Sequence, residues 1–234
     1  MLQKNNHAII LARAGSKGIK NKNIIKINNK ALIYWSIKAC LQTKSIHKVW
    51  VSSDSKKILA IAEQIGASTI HRPKKLSTDT SSSEAGWLHA IKEIKKKFSV
   101  KNIIALQATS PIRGKKDLTN ALKLFKKKKC DSLFSSTTLD AHFSWNKFKN
   151  RITPNYNIKI KRKRRQNLKE KIIENGSFYI FSASNFQKIK KRLFGRIANY
   201  NQSKYKSFEI DNKEDILIVE TILKTYGKKH NLVS

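Results

Sequence analysis

Short apolar runs rich in β-branched residues alternate along this chain with segments in which apolar residues recur every three to four positions. The apolar runs predict strands at 7–11, 48–52, 67–71, 102–107 and 132–136. The periodic segments predict helices at 31–43, 55–65, 83–98 and 116–127. Strands that alternate with helices of this length pair in parallel through right-handed crossovers, so we expect an α/β sheet covered on both faces.

Several helix ends carry capping signals. Asp54 is predicted to cap the helix at 55–65, and Gly66 is predicted to end that helix in a left-handed conformation. Ser82 or Ser83 is predicted to cap the helix that follows. These signals place polar side chains where strands lead into helices.

The alternation breaks between residues 139 and 172. This stretch contains aromatic residues and then "IKIKRKRRQ", in which apolar and basic residues alternate as in an exposed two-stranded arm. Such an arm fits a nucleic-acid contact, or a subunit-exchange arm whose charge meets an acidic ligand. We favour the second role because the rest of the chain has the pattern of an enzyme. Regular elements resume with strands at 176–181 and 206–210 and helices at 185–193 and 213–226.

Length and composition limit the domain count and the class. A chain of 234 residues with 39% hydrophobic content suits one globular core, so we predict a single domain over 1–234 with 140–172 as an inserted arm. Cys40 and Cys130 lack metal-ligand spacing, which indicates free thiols. The apolar stretch at 8–12 is too short for a signal peptide, and no stretch approaches the ~18 apolar residues of a membrane span. We therefore predict a cytoplasmic protein without a membrane partner.

The formal net charge of +35 raises the alternative of a basic nucleic-acid-binding protein, because dense cations release phosphate counterions. Only nine of the cationic residues are arginines, however, and the 41 lysines are spread over almost every predicted helix. This distribution favours a general enrichment in Lys, Ile and Asn on solvated faces. Nucleic acid is therefore the less favoured partner.

The segment "ARAGSKGIKNKN", residues 12–23, directly follows the first predicted strand. Ligands of open parallel sheets bind beyond the carboxyl ends of the strands. Gly15 and Gly18 allow a sharp turn in which backbone amides converge on an anion, and positive charge comes from Arg13, Lys17, Lys20 and Lys22. The spacing matches neither the Walker motif nor G-x-G-x-x-G. By itself the segment fits a polyphosphate cradle and a solvated turn equally well.

The same string resembles the N-terminal signature of the acylneuraminate cytidylyltransferases, the CMP-sialic acid synthetases, in which A-R-G-G-S-K-x-x-x-x-K-N follows the first strand. The resemblance continues in the family's order through "VSSDS", "RPKKLSTDTSSS", "LQATSPIR", "RRQNL", "ENGSFYIF" and "EIDNKEDILIVE". It implies a Rossmann-like nucleotidyltransferase fold with a mostly parallel sheet and a protruding arm that makes a homodimer. It also implies an enzyme that transfers CMP from CTP to the anomeric hydroxyl of a nonulosonic acid and releases pyrophosphate.

By this resemblance two segments form the CTP site. The first is the opening loop, with Arg13, Gly15, Ser16, Lys17, Lys22 and Asn23. Arg13 and Lys22 also have a catalytic role, because cations stabilise the charge that grows on a departing pyrophosphate. The second is 72–83, where Arg72, Ser81 and Ser83 read the cytosine and ribose. That segment also fits a polar loop that caps the next helix, and the two roles are compatible. Asp79 fits either loop structure or function.

The resemblance places the acceptor sugar beside Gln107, Arg165, Gln166 and Asn175. Without the family, Gln107 would be an ordinary loop residue and Asn175 part of a tight turn. An arginine such as Arg165 can hold a carboxylate through paired N–H bonds. The family often has an arginine where this chain has Ile173, so the alternative acceptors are legionaminic, pseudaminic or another modified nonulosonic acid.

The resemblance also implies Mg²⁺ at an Asp-x-Asp, which here reads Glu209-Ile210-Asp211. Residues two apart in an extended strand point to the same face, so both carboxylates can reach one ion. Asp211 is the predicted principal ligand and a catalytic residue. Glu209 is longer by a methylene and binds the ion directly, through water, or not at all. Independently of the family, Asp211 is a candidate N-cap for the helix at 213–226.

Overall fold

The computed structural model describes residues 5–15, 18–139, 144–159, 161 and 170–227. The strands are β1 (Asn6–Leu11), β2 (Lys26–Ile27), β3 (Lys30–Ala31), β4 (Lys48–Ser53), β5 (Ser68–His71), β6 (Asn102–Gln107), β7 (Ser132–Thr138), β8 (Trp145–Phe148), β9 (Arg151–Pro154), β10 (Ile172–Ser182) and β11 (Ile197–Gln202). The helices are α1 (Leu32–Leu41), α2 (Lys56–Ile65), α3 (Ser83–Lys95), α4 (Lys115–Lys127), α5 (Ala183–Ile189) and α6 (Lys213–Tyr226).

A mostly parallel sheet forms the centre of the molecule, with the strand order β11-β7-β10-β6-β1-β4-β5. β1 pairs in parallel with β4 and β6, β5 with β4, and β11 with β7. Among the described strands of this sheet, β10 alone runs antiparallel to its neighbours, β6 and β7. The predicted fold class is confirmed.

Helices cover both faces of this sheet, as predicted. Side chains of β1 alternate, so that Ala8 and Ile10 pack toward α1, α2 and α4, whereas Ile9 packs toward α3 and α5 around Trp87. All four side chains are fully buried. A third apolar cluster, around Ile27, lies beneath α6. Because both faces are apolar, the openings for ligands lie at the strand ends.

The edge strand β11 was not predicted, and the strand predicted at 206–210 is absent. Only Ala198 and Gln202 of "IANYNQ" are buried, so β11 has no apolar run to mark it. Residues 204–207 form a 3-10 helix instead, and the backbone N–H of Ile210 donates to the Thr109 carbonyl at 2.9 Å. The predicted strand therefore rested on Ile210, which is buried although its backbone is irregular.

Some helix ends also differ from the prediction. Ser55, not Asp54, caps α2, because its Oγ accepts from the Ile58 N–H at 3.4 Å. Gly66 ends that helix with φ 104°, as predicted. α3 ends at residue 95 rather than 98, and α5 spans 183–189 rather than 185–193. Ser82 caps α3 as predicted.

The β8–β9 hairpin lies within the predicted arm and is strongly exposed. Phe148 is 74% exposed and Ile152 is 63% exposed. Most of the basic run after it, residues 160 and 162–169, lies outside the described residues. In the described part of the chain, no helix has both the length and the apolar character needed to cross a membrane.

Candidate active site

Three segments that follow parallel strands meet at one edge of the sheet and enclose a cavity of about 260 Å³. The described parts of these segments are 12–15 and 18–23 after β1, 72–83 after β5, and 108–113 after β6, which ends at Gln107. The cavity is lined by all the described residues of the predicted CTP set together with Gln107, namely Arg13, Gly15, Lys22, Asn23, Arg72, Ser81, Ser83 and Gln107. Ser16 and Lys17 lie outside the described residues.

Arg13 extends over this cavity and is held by the segment after β5. One guanidinium nitrogen, Nη1, donates to the Thr78 carbonyl at 2.7 Å, and Nη2 pairs with Asp79 Oδ1 at 2.7 Å. The Arg13 side chain remains 31% exposed, so it stays open to a ligand. Asp79 therefore belongs to the site as the carboxylate partner of Arg13.

The backbone of the opening loop is fixed from beneath by two polar side chains. Asn23 Nδ2 donates to the Arg13 carbonyl at 2.9 Å, and Asp54 Oδ1 accepts from the Ala14 N–H at 2.9 Å. Asn23 is only 8% exposed, so its contact with the cavity is limited. The role of Asp54 in holding the loop was not predicted from the sequence. The position of Asp54 directly after β4, which pairs with β1 in the sheet, could have indicated it.

Arg72 forms a buried cationic floor of the cavity, since it is only 3% exposed. Its Nε donates to Ser77 Oγ at 2.8 Å. Burial lowers the pKa of Arg72, and the nearby Asp54 opposes that change. Ser81 is engaged in the turn, because its Oγ donates to the Lys75 carbonyl at 3.1 Å. Ser83 is the first residue of α3, and the N–H of Ala85 in the same turn donates to Ser82 Oγ at 3.2 Å.

A second, more open cavity of about 600 Å³ lies beside β10 and contains both predicted metal ligands, Glu209 and Asp211. Glu209 Oε1 accepts a hydrogen bond from Ser110 Oγ at 2.9 Å. Burial is the main reason that the pKa of Glu209 is raised, and Asp211 raises it further. Asp211 is 68% exposed and pairs with Lys22 Nζ at 2.8 Å. Lys22 therefore connects the two cavities.

Two glycines allow close approach to this carboxylate segment. A Cβ atom on Gly18 would lie 2.3 Å from the Asp211 carbonyl oxygen. A Cβ on Gly176, whose φ is +66°, would lie 2.6 Å from Glu209 Oε1. A side chain at either position would force two segments apart: the opening loop and residue 211 at Gly18, or β10 and Glu209 at Gly176.

Asp211 is not a helix cap. Asn212 caps α6, with its side chain accepting from the N–H groups of Glu214 and Asp215 at 3.0 and 3.1 Å. The strand geometry assumed for 209–211 is also wrong, because these residues are irregular. Both carboxylates nevertheless line the same cavity. Because Asn212 rather than Asp211 caps α6, the Asp211 carboxylate can contact a ligand there.

The predicted acceptor residues are only partly brought together. Asn175 lines the second cavity but is 7% exposed, and its amide is bonded to Ser135, Gln202 and Ser207 at 2.6–3.2 Å. Gln107 lines the first cavity instead. Arg165 and Gln166 lie outside the described residues. Within the described chain, no group of three or more His, Cys, Asp or Glu side chains is arranged to hold a metal ion.

The sequence and the fold both resemble those of known proteins. The chain is 33% identical over 225 residues to an N-acylneuraminate cytidylyltransferase of Oncorhynchus mykiss, covering 94% of this chain and 50% of the relative. It is 37% identical over 177 residues to N-acylneuraminate cytidylyltransferase A of Danio rerio, covering 74% and 40%. The chain thus spans about half or less of the length of these curated relatives.

Solved structures share the fold at low sequence identity. CMP:2-keto-3-deoxy-manno-octonic acid synthetase complexed with CTP matches with a TM-score of 0.69 and 15% identity, over 94% of this chain and 99% of that chain. A 4-diphosphocytidyl-2C-methyl-D-erythritol synthase matches with a TM-score of 0.71 and 10% identity, over 95% and 100%. The family model described as cytidylyltransferase matches residues 7–233. The chain belongs to the cytidylyltransferase family.

Proposed function

We propose that this protein transfers CMP from CTP to the anomeric hydroxyl of a sialic-type nonulosonic acid and releases pyrophosphate. The observation that carries the proposal is the first cavity, where the described residues expected for CTP converge at the carboxyl edge of the sheet. The sequence similarity to N-acylneuraminate cytidylyltransferases supports the acceptor class.

The reaction requires the acceptor hydroxyl oxygen to attack the α-phosphorus while the bond from that phosphorus to the β-phosphate oxygen breaks, and the hydroxyl proton passes to a phosphate oxygen. Negative charge then accumulates on the departing pyrophosphate. Arg13 and Lys22 are the cations that we assign to this charge, because preorganised donors stabilise a developing anion without further reorganisation. The Asn23 and Asp54 contacts keep the loop backbone in place, which fixes the direction of Arg13.

The residues present fit a Mg²⁺ ion at the second cavity. Hard divalent cations prefer oxygen ligands, and Mg²⁺ usually takes one or two protein carboxylates together with water and substrate phosphates. Glu209 and Asp211 supply such oxygens next to Lys22 and the first cavity. When bound, the ion would neutralise phosphate charge and polarise phosphate oxygens. We assign Asp211, the more exposed carboxylate, as the principal ligand and Glu209 as an auxiliary ligand.

We place the acceptor between Gln107 and the second cavity, with Asn175 as a support of the cavity wall and Arg165 and Gln166 as the candidates for its carboxylate. Ile173 is 42% exposed and lines this cavity. An apolar side chain there favours a more apolar acceptor substituent than an arginine would. A modified nonulosonic acid is therefore the second candidate, and steady-state rates on a panel of such acids distinguish the two.

The phosphate assignment is tested by Arg13→Ala and Lys22→Ala. We expect each to lower kcat/KM for CTP by roughly 10²-fold, as the loss of one preorganised charge commonly does. Arg196→Ala is the matched control, because Arg196 is exposed and, within the described residues, its guanidinium hydrogen-bonds only the Lys128 carbonyl, at 3.5 Å. Near-normal turnover of Arg13→Ala and Lys22→Ala would refute the assignment.

The rival function, nucleic-acid binding, is tested separately. A filter-binding assay with tRNA and duplex DNA at ~0.15 M salt measures binding with and without CTP. We expect weak binding that depends strongly on salt. Tight binding that CTP does not affect would favour the rival.

We also propose a homodimer formed through an arm within 140–172, in an otherwise single domain. The apolar side chains of the β8–β9 hairpin support it, since exposed apolar patches commonly mark contact surfaces. Light scattering that reports a fully active monomer at micromolar concentration would overturn this proposal. A cytoplasmic location fits the free, buried Cys40 and Cys130.

A further inference from the structure

The side chain of Arg113 is one of the largest fully buried groups in the described chain, with 1% exposure. It ends the "LQATSPIR" motif between β6 and α4. None of the ion pairs among the described residues includes it. Burying a cation without a carboxylate at hydrogen-bond distance is costly, so its contacts need an explanation.

The guanidinium of Arg113 joins four separate segments. Nη1 donates to the Ser110 carbonyl at 2.7 Å and to the carbonyl and hydroxyl of Ser177, both at 2.9 Å. Nη2 donates to the Gln107 carbonyl at 2.5 Å and to Ser36 Oγ at 2.6 Å. The end of β6, the turn after it, β10 and α1 thus share one donor group. The pKa of Arg113 is lowered by burial to about 10, so the group remains cationic at neutral pH.

Two of these segments carry residues of the proposed site. Gln107 lines the first cavity directly. Ser110, whose carbonyl Arg113 binds, uses its hydroxyl to hold Glu209 at 2.9 Å. The Ile210 N–H also donates to the Thr109 carbonyl at 2.9 Å, so the turn is hydrogen-bonded directly to the carboxylate segment. The nearby guanidinium also favours the charged form of Glu209.

We infer that Arg113 is a positioning residue: its buried guanidinium holds the end of β6 and the following turn against β10, so that Gln107 and Glu209 face the proposed reaction site. The inference rests on the proposed function. Arg113 reaches the first cavity through Gln107, which we assign to the acceptor, and not through Arg13 or Lys22, so its loss should affect the acceptor and the chemical step more than the binding of CTP.

The test is Arg113→Lys, which keeps the positive charge but cannot reproduce the forked set of five contacts. CTP affinity is measured by calorimetry, and pyrophosphate release is measured with CTP, Mg²⁺ and N-acetylneuraminate. We expect kcat to fall by about 10²-fold, as a displacement near 1 Å at a reacting group can cause. The KM for the acceptor should rise, while the Kd for CTP stays within about threefold of the wild-type value.

Leu122→Ala is the control for general destabilisation. Leu122 is buried in α4 on the core side and lines neither proposed cavity, so it should lower the melting temperature and leave kcat unchanged. The inference is overturned if Arg113→Lys keeps wild-type kcat, or if CTP affinity and kcat fall in parallel. It is also overturned if Leu122→Ala lowers kcat equally at a matched loss of melting temperature.

Ser36→Ala decides the question if Arg113→Lys does not fold. Ser36 lies on α1, away from both cavities, and its hydroxyl accepts from Arg113. A reduction in kcat of about tenfold at unchanged CTP affinity supports the inference, and wild-type kcat overturns it. If the wild-type protein releases no pyrophosphate from CTP with any acceptor, the proposed function fails instead, independently of the variants.

Discussion

Gly18 of the opening loop lies close against the proposed metal segment. A Cβ there would lie 2.3 Å from the Asp211 carbonyl oxygen, whereas real Cβ contacts essentially never fall below 3.0 Å. Restoring an ordinary contact of 3.4–4 Å requires the two segments to separate by about 1.1–1.7 Å. Asp211 cannot yield easily, because its N–H donates to Asp215 Oδ2 at 2.8 Å and Ile210 before it is fully buried.

Gly18→Ala should therefore displace the loop rather than the carboxylate. Overpacking costs about 1–3 kcal/mol, and the exposure of Gly18 favours the lower end of that range. For a chain of this size, about 1 kcal/mol lowers the melting temperature by roughly 2–4 °C. Because Lys22 and Arg13 belong to the displaced loop, we also expect kcat/KM for CTP to fall by up to about 10²-fold and the apparent affinity for Mg²⁺ to weaken.

Gly15→Ala is the matched control for stability, since a Cβ on Gly15 would have no heavy atom within 4 Å. Its melting temperature should equal that of the wild type. Turnover of Gly18→Ala is measured over a grid of CTP and Mg²⁺ concentrations, with melting followed by scanning calorimetry. If Gly18→Ala keeps the wild-type melting temperature and wild-type turnover, the close contact between the loop and Asp211 does not exist in solution.

Further expectations concern the metal and the core. Asp211→Asn should nearly abolish turnover at any Mg²⁺ concentration with an unchanged melting temperature. Glu209→Gln should reduce turnover less, and excess Mg²⁺ should partly restore it. An active Asp211→Asn enzyme would show that the metal site lies elsewhere. His7 is held neutral, because its Nδ1 accepts from Trp50 Nε1 at 3.1 Å and burial lowers its pKa. The unfolded chain then binds the proton more readily, so stability should fall as the pH drops below about 6.5. Calorimetry of wild type and His7→Gln from about pH 7.5 to pH 5.5 checks this, and an equal loss in both proteins would exclude His7 as the cause.

The sequence predicted the sheet and the meeting of the loops of the proposed site at one of its edges, because both depend on local signals. The apolar runs of β1 and β6 mark buried parallel strands, and parallel strands bring the loops after their carboxyl ends to one edge. β11 escaped prediction because an edge strand needs only one buried face. The Asp211 cap was misplaced by one residue, since Asn212 has the same capping chemistry.

Contacts between distant parts of the chain were beyond sequence reasoning. Lys22 and Asp211 are 189 positions apart, and Arg113 reaches Ser36 across 77 positions. No local pattern records that an arginine after a proline turn will be buried, or that a lysine of the first loop will pair with a carboxylate near the last helix. The strand order, which places β10 next to β6, likewise brings Ser177 beside the turn that carries Arg113.

The uneven distribution of charge has a consequence for how the site selects its ligands. The chain has only 15 acidic residues, yet four of them, Glu174, Glu209, Asp211 and Asp215, line the second cavity. Two others, Asp54 and Asp79, bind the loop backbone and Arg13 at the first cavity.

The lysine excess lies mostly on solvated faces, where salt screens it beyond about 10 Å. Near the proposed site, carboxylates offset the net charge, so we expect particular cations, rather than the whole surface, to attract phosphate. A triphosphate that reaches Arg13 and Lys22 must compete with Asp79 and Asp211, and a divalent ion that engages Asp211 would release Lys22 for the phosphates.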